Sequence, residues 1–251
     1  MHIVTANLNG IRSAISKGFY TWLSQAMPDV VCIQETKAQL KLDNIPLPCK
    51  YHNYFSDAEK KGYSGVAIFS QEPAISVNLF GDDLFDNEGR YLAVELEKII
   101  IISIYLPSGT SGPERQKIKM QCLETLYKNK LKQLLNDKKH VVIAGDFNIA
   151  HKKIDLKNWQ ANQKKTGFLP EERAWIDQVL ALGWRDSFRM LNQEAEQYTW
   201  WSYRSAARKR NVGWRLDYQI ISPGLRPIKA KIEHEPIISD HAPLSVFYEL
   251  D

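Results

Sequence analysis

The sequence predicts an α/β fold in which two packed, mixed but mainly antiparallel β-sheets are flanked by helices. About ten segments have the composition of strands, and only three have a clear helical repeat. Several neighbouring strands are joined by connections short enough for hairpins. The 251 residues contain no repeat, low-complexity segment or linker, so we expect one domain over residues 1–251.

The predicted strands are rich in Val, Ile, Phe and Tyr, and most are bounded by Gly, Pro, Asn or Asp. They cover residues 3–7, 30–34, 65–69, 74–79, 91–96, 99–106, 141–147, 216–222, 227–233 and 244–250. The longest apolar run, 99–106, is far too short to cross a membrane. The N-terminal segment lacks the basic region followed by an apolar region that is typical of a secretion signal. We therefore expect no membrane contact and a cytoplasmic location, associated with the nucleoid if the source is bacterial.

Three helices are predicted from apolar periodicity and end signals. The first covers 17–26 and turns Phe19, Trp22 and Leu23 inward. The second follows Pro113, a residue favoured at a helix start, and repeats apolar residues as far as 134. The third begins at Pro170 and ends near 183, where a glycine stands.

The charge of the chain is concentrated in two segments. The net charge is +4, and residues 197–216 carry five cations and no acid, interleaved with aromatic residues. Residues 152–165 carry five lysines and one acid. Either run alone is typical of a solvated face, but together they favour a nucleic-acid surface, where cations bind phosphates and aromatic rings stack. The three cysteines are scattered, which favours a reducing compartment over a disulfide or zinc framework.

Polar side chains recur where the predicted strands end, which is where a scaffold presents side chains to a cleft. Side chains two apart along a strand point the same way, so Asp146 and Asn148 should share a face, as should Asn7 and Asn9. Each residue alone has a structural interpretation as a turn or a solvated group. The complete set comprises Asn7, Asn9, Glu35, Tyr105, Asp146, Asn148, Asp217, Asp240 and His241.

This set favours a hard cation such as Mg²⁺, which takes oxygen ligands and often only one or two carboxylates. The sequence has no Cys or His cluster of the kind that binds zinc. It also lacks a P-loop and the G-x-S-x-G elbow of serine hydrolases.

The motifs, in their order, resemble the exonuclease III and apurinic-apyrimidinic (AP) endonuclease family of DNA repair, within the endonuclease/exonuclease/phosphatase superfamily. The matching segments are TANLNGIR (5–12), CIQETK (32–37), GYSGVA (62–67), EGR (88–90), YLP (105–107), GDFNIAH (145–151), GFLPEER (167–173), NVGWRLDY (211–218) and SDHAP (239–243). They span nearly the whole chain. The resemblance implies a four-layer α/β sandwich and a DNA-repair nuclease.

By this resemblance, Glu35 is the principal Mg²⁺ ligand, supported by Asn7 and Asp240, and Mn²⁺ is a possible substitute. Asn9 stands where some relatives have Asp, so the metal shell has one carboxylate fewer than theirs.

The resemblance also assigns catalytic roles. Asp146 would align and deprotonate the attacking water, with Asn148 holding the water or a phosphate oxygen. His241 would contact a non-bridging phosphate oxygen, with Asp217 favouring its charged form, and Tyr105 would donate to the phosphate. Both Asp146 and the Asp217–His241 pair suit a general base by chemistry, and Asp146 is preferred.

Substrate choice is expected from the aromatic segment. Trp200, Trp214 and Leu216 match positions that form an apolar pocket for a flipped-out, base-less sugar, although packing in the core is the alternative for both tryptophans. Arg204 replaces an apolar wedge of some relatives and would wedge or stack in its place. Further positions matching the DNA backbone or the active site are Lys37, Tyr63, Arg90, Asn158, Asn162 and Asn211.

The expected activity is Mg²⁺-dependent cleavage 5′ to abasic sites in duplex DNA, with 3′-5′ exonuclease and 3′-phosphodiesterase activity. The expected partner is duplex DNA with abasic sites or blocked 3′ ends, bound by a monomer without an obligatory protein partner. Three alternatives stay open. The protein could be predominantly a 3′-5′ exonuclease, a phosphoesterase for small molecules in the same superfamily, or a catalytically silent DNA-binding module.

Overall fold

The structure, a computed structural model, describes residues 1–40 and 43–250. Its first sheet contains β1 (His2–Asn7), β2 (Val30–Gln34), β3 (His52–Ser56), β4 (Val66–Ser70), β13 (Arg226–Ile232) and β14 (Leu244–Glu249). The strand order is β13–β14–β1–β2–β4–β3. Among the described residues of this sheet, only β1 and β2 pair in parallel, and the other strand pairs are antiparallel.

The second sheet contains β5 (Ser76–Asn78), β6 (Tyr91–Glu95), β7 (Ile99–Tyr105), β8 (His140–Asp146), β9 (Arg185–Asp186) and β12 (Asp217–Ile221). Its order is β5–β6–β7–β8–β12–β9, with β7–β8 parallel and the other pairs antiparallel. A short ribbon pairs β10 (Trp200–Trp201) with β11 (Gly213–Trp214). The prediction of two mixed, mainly antiparallel sheets is confirmed.

Helices cover the outer face of each sheet. Beside the first sheet lie α1 (Ile11–Ser16) and α2 (Phe19–Ala26). The helices α3 (Asp83–Asp86), α4 (Pro113–Leu126), α5 (Lys132–Leu135) and α7 (Pro170–Ala181) cover the second. One π-helical turn, Tyr127–Leu131, joins α4 to α5. The short helices α6 (Trp159–Asn162) and α8 (Ser187–Leu191) lie in connections. None of the helices described in the structure is long and apolar enough to cross a membrane.

The alternation of side chains along the central strands produces the layers. In β1, Ile3 packs between the sheets, whereas Val4 packs against α1 and α2. In β8, Val142 lies in the inter-sheet core and Ile143 faces the helices of the second sheet. The order is therefore helix, sheet, sheet, helix, as the resemblance implied.

Buried hydrogen bonds fix one sheet against the other. Gln34 Nε2 donates to Ser103 Oγ at 3.0 Å, and Ser103 Oγ donates to the Ile33 carbonyl at 3.0 Å. Gln219 Nε2 donates to the Ile3 carbonyl at 3.0 Å, and Tyr248 Oη donates to Gln219 Oε1 at 2.8 Å. Such bonds are directional, so they hold the strand ends of the two sheets in one arrangement.

The predicted elements differ from the observed ones at several places. The strand β3 was not predicted, and the predicted strand 74–79 is shortened to Ser76–Asn78 at a sheet edge. The three predicted helices correspond to α2, to α4 with its continuation into α5, and to α7. The four short helices α1, α3, α6 and α8 were missed, since none spans more than six residues and so none shows a clear helical repeat.

Candidate active site

The strands of both sheets bring the predicted polar residues to one end of the sandwich. Asp146 ends β8, and its neighbours in register are Tyr105 on the parallel β7 and Asp217 on the antiparallel β12. From the first sheet, Asn7 ends β1 and Glu35 follows β2. Residues far apart in sequence therefore meet because the sheets pair them.

Asn7 connects the carboxylates of the two sheets. Its Nδ2 donates to Glu35 Oε1 at 2.8 Å and to Asp146 Oδ2 at 2.9 Å. Glu35 Oε2 also lies 2.8 Å from Lys37 Nζ. Although burial opposes it, the pKa of Glu35 is lowered by Lys37 and by the hydrogen bond from Asn7, so Glu35 is ionised at neutral pH.

Asp146, Asp217 and His241 form a buried group. His241 Nδ1 lies 2.8 Å from Asp217 Oδ2, and His241 Nε2 lies 3.8 Å from Asp146 Oδ2. Burial raises the pKa of Asp146 to about 7, with the nearby carboxylates of Asp217 and Glu35 acting in the same direction. Burial lowers the pKa of His241, but Asp217, Asp146 and Asp240 outweigh it and raise that pKa to about 10. The imidazole is therefore charged at neutral pH.

Asn148 lies two residues after Asp146 in a turn. Its main-chain N donates to Asp146 Oδ1 at 2.8 Å, and its Nδ2 donates to the Leu106 carbonyl at 2.9 Å and to Asp146 Oδ2 at 3.2 Å. Tyr105 lies beside this turn, and burial raises the pKa of its phenol, which therefore stays protonated and able to donate.

Several of the predicted site residues have left-handed backbone conformations that L-residues rarely adopt. These are Asn9, Glu35, Lys37, Asn148, Asn158 and Asn211, with φ values of 47° to 55°. Such conformations persist where the surrounding structure holds them, and they cluster at functional sites.

An open cavity of about 850 Å³ contains most of the predicted residues. Those that line it are Glu35, Tyr105, Asp146, Asn148, Asn158, Asn162, Trp200, Arg204, Trp214, Leu216, Asp240 and His241. Residues from the basic runs, including Lys157, Lys165 and Arg210, line it too. Thr166 and Gly167 also line it, although sequence analysis named neither as a site residue and Gly167 entered only as the start of a matching segment.

One wall of the cavity is apolar. Trp200 and Trp214 are register partners across the β10–β11 ribbon. Both are partly buried and pack against Leu216, Phe168 and Leu156. They therefore line the cavity on one side and pack against this core cluster on the other.

The remaining predicted residues lie around the cavity. Asn9 Nδ2 donates to Asp240 Oδ1 at 2.9 Å, and Trp200 Nε1 donates to Asp240 Oδ2 at 3.0 Å. Lys37 Nζ also donates to Asn9 Oδ1. Asn211 Oδ1 accepts from Trp201 Nε1 at 3.0 Å, so it holds the ribbon.

Arg90, which was matched to a position at the DNA backbone or the active site, is buried behind Tyr105. Its Nη1 donates to the Tyr105 carbonyl at 2.9 Å, and its guanidinium lies 4.6 Å from the centre of the Tyr105 ring. Tyr63 Oη accepts from Arg90 Nη2 at 3.0 Å. Arg215, counted above among the surface cations, is likewise buried, with ion pairs to Asp155 and Asp186.

Among the described residues, the carboxylate and imidazole atoms of Glu35, Asp146 and His241 lie within 4.8 Å of one another and could hold a metal ion. A charged imidazole binds no metal, so the donors that fit are the two carboxylates. Asn7 presents its Nδ2 to both of them, and Asp240 lies outside this group with both oxygens accepting hydrogen bonds.

The chain matches the Endonuclease/Exonuclease/phosphatase family over residues 4–241. The chain belongs to this family. It is 39% identical to an exodeoxyribonuclease of Bacillus subtilis, with 100% of both chains covered. It is 36% identical to the DNA repair nuclease APEX1 of Danio rerio, with 98% of this chain and 82% of that protein covered.

Solved structures of the family have the same fold. An AP endonuclease from Archaeoglobus fulgidus superposes with a TM-score of 0.89 at 29% identity, and each chain is covered to 100%. A 3′-5′ exonuclease from Neisseria meningitidis gives 0.88 at 27% identity, again with 100% of both chains. The expected family, fold and class of enzyme, a hydrolytic nuclease, are confirmed.

Proposed function

We propose that the protein is a Mg²⁺-dependent DNA-repair nuclease that hydrolyses the phosphodiester bond 5′ to abasic sites in duplex DNA. We include 3′-5′ exonuclease and 3′-phosphodiesterase activity in the proposal. The observation that carries it is the placement of buried Asp146 and charged His241 beside an apolar wall in one cavity. The names of the exodeoxyribonuclease and AP endonuclease relatives agree with this reaction.

Asp146 is the proposed general base. Its pKa of about 7 is matched to a base that accepts a proton near neutral pH. His241 is charged in this range and has no lone pair to accept the proton, so the Asp217–His241 pair is the weaker candidate for the base. The structure therefore favours the assignment to Asp146 that sequence analysis preferred.

The proposed reaction is attack of water on phosphorus. Asp146 takes one proton of the water, the new P–O bond forms, and the bond to the 3′ oxygen breaks. The 3′ oxygen takes up a proton from solvent water, and Asp146 returns its proton to solvent after the reaction. The products are a 3′ hydroxyl and a 5′ phosphate on the base-less sugar. His241 would donate a charge-assisted hydrogen bond to a non-bridging oxygen, Tyr105 would donate a second, and Asn148 would hold the water.

Mg²⁺ bound by Glu35, with Asn7 nearby, would withdraw charge from the phosphate and stabilise the leaving oxygen. The ionised carboxylate of Glu35 and the oxygen-rich surroundings fit this ion. Mn²⁺ is the proposed substitute.

The apolar wall is the proposed source of selectivity. Trp200, Trp214 and Leu216 would accept a sugar without a base, which is also easier to unstack than an intact nucleotide. Lys157 and Lys165 at the cavity would contact phosphates and so place the duplex without reading its sequence, and Arg204 would wedge or stack.

The test is cleavage of duplexes labelled at one end, either intact or carrying one abasic analogue, with Mg²⁺ or with EDTA. We expect one Mg²⁺-dependent cut 5′ to the lesion. Stepwise trimming from 3′ ends with the lesion uncut would instead support the exonuclease alternative, which the exodeoxyribonuclease relatives favour. Intact DNA under all conditions would reject the proposal.

A further inference from the structure

Lys119 on α4 and Glu172 on α7 form an ion pair that is completely buried beneath the cavity. Lys119 Nζ lies 2.6 Å from Glu172 Oε1, and both side chains have 0% exposure. Burial lowers the pKa of Lys119, while Glu172 opposes this change. Lys119 occupies the apolar face of α4, in line with Leu123 and Leu126 four and seven residues later. Sequence analysis missed this signal, a lone lysine on an apolar stripe.

The pair reaches two separate walls of the cavity. Lys119 Nζ donates to the main-chain carbonyl of Asn148 at 2.8 Å. Glu172 Oε2 accepts from the main-chain N of Gly167 at 2.7 Å and of Leu169 at 3.0 Å. Its Oε1 accepts from Thr166 Oγ1 at 3.2 Å. Lys119 therefore holds the turn that contains Asn148, and Glu172 holds the 166–169 turn.

The two turns touch each other. The main-chain N of Ala150 donates to the Gly167 carbonyl at 2.7 Å. Asn148 has a left-handed backbone with φ of 52°, which is strained for a non-glycine residue and needs support from its surroundings. Gly167, with φ of 89°, adopts such a conformation without strain because it has no side chain. A β-carbon placed on Gly167 would lie 3.2 Å from the Asn148 carbonyl and 3.3 Å from the Trp214 ring. The two turns and the Trp214 ring are therefore packed closely against one another.

Stability alone is a weak reason for such a pair, because apolar residues of similar volume often replace a buried ion pair without loss. We propose that Lys119 and Glu172 are positioning residues, which hold Asn148 and the 166–169 turn at the spacing that the reaction and the base-less sugar require. This inference rests on the proposed function.

Lys119→Met removes the hydrogen bond to the Asn148 carbonyl and keeps a side chain of similar length. We expect kcat for abasic cleavage to fall by roughly 10- to 100-fold, because a displaced catalytic group costs about this much. KM should change by less than about threefold, because the apolar wall is untouched. The core variant Leu123→Ala on the same helix is the control. It should lower Tm comparably and leave kcat within about twofold of the wild type.

Lys119→Met with Glu172→Gln separates positioning from stability. The glutamine oxygen can still accept from Gly167 and Leu169, and no unpaired buried charge is left. We expect Tm to recover toward the wild-type value while kcat stays low. In EDTA, the Kd ratio between undamaged and abasic duplex should match that of the wild type. Recovery of kcat together with Tm would overturn the inference, as would full kcat in folded Lys119→Met.

The proposed function and the positioning role of the ion pair can be rejected separately. If the wild type leaves the abasic duplex uncut, the proposed function falls and this inference falls with it. If the wild type cuts and the double variant cuts equally fast, only the positioning role is rejected.

Discussion

Asp217→Asn tests the charged histidine of the site. Asp217 Oδ2 lies 2.8 Å from His241 Nδ1, and both side chains are buried. Burial lowers the pKa of His241, but the carboxylates around it, Asp217 foremost, raise it to about 10. A rise from the ordinary histidine value to this one corresponds to on the order of 5 kcal/mol in favour of the charged imidazole, which is the net of the opposing effects of burial and of all the surrounding carboxylates.

In Asp217→Asn we expect the pKa of His241 to fall toward its ordinary value, so that the imidazole loses much of its charge at pH 8. The hydrogen bond to the phosphate then loses its charge assistance, and kcat should fall by roughly 100- to 1,000-fold. NMR titration of the imidazole gives the pKa, and single-turnover cleavage of an abasic duplex at pH 8 gives the rate.

The raised pKa of His241 should also make the free energy of unfolding depend on pH. A histidine whose pKa is raised on folding stabilises the fold at low pH, and this contribution disappears as pH rises through the folded-state value. The wild type should therefore lose up to about 1.4 kcal/mol of unfolding free energy per pH unit from His241 between neutral pH and about 10. The variant should lose less over the same range, as urea unfolding would measure.

Asp177→Asn is the matched control. Asp177 Oδ1 lies 2.8 Å from His151 Nε2, with Asp177 exposed and His151 buried, and neither residue lines the cavity. Its removal should leave kcat within about twofold of the wild type. If His241 in Asp217→Asn keeps a pKa near 10, or kcat at pH 8 stays within about threefold, then the assigned role of Asp217 is refuted.

Asp146→Asn should reduce kcat by roughly 100- to 10,000-fold, with binding of abasic duplex in EDTA retained, and loss of binding instead would contradict a role as base. Since the pKa of Asp146 is raised to about 7, the wild-type rate should increase as pH rises through that range, and a flat pH profile would contradict this. Trp214→Ala should lower the Kd preference for abasic over intact duplex by roughly tenfold, whereas an equal loss on both duplexes would exclude the apolar pocket. Lys157→Ala and Lys165→Ala should each reduce the slope of log Kd against log salt by about one, while Lys138→Ala, before the opposite end of β8, should not.

The sequence predicted the layers and most residues of the site because both follow from local patterns. Strands with buried faces have continuous or alternating apolar residues, and polar residues at strand ends such as Asp146 stand out against them. The strand β3 was missed because four of its five residues, His52 to Phe55, are not fully buried, so its apolar pattern is weak.

Long-range pairing could not be predicted from local patterns. The contact between Asp146 and Asp217 depends on the register of β8 against β12, which no residue in either strand specifies alone. Arg215 was assigned to the basic surface for the same reason, since its partner Asp155 lies sixty residues earlier in the chain. Lys119 is likewise a charged residue whose buried partner, Glu172, only the fold reveals.

The most direct test of the proposed reaction is single-turnover cleavage of an end-labelled duplex carrying one abasic analogue, by the wild type and by Asp146→Asn at saturating enzyme. We expect the wild type with Mg²⁺ to make a single cut 5′ to the lesion, leaving a 3′ hydroxyl. The variant should bind the duplex equally and leave it uncut. Cleavage by the variant at the wild-type rate, or a wild type that leaves the lesion intact, would contradict the site and the reaction proposed for it.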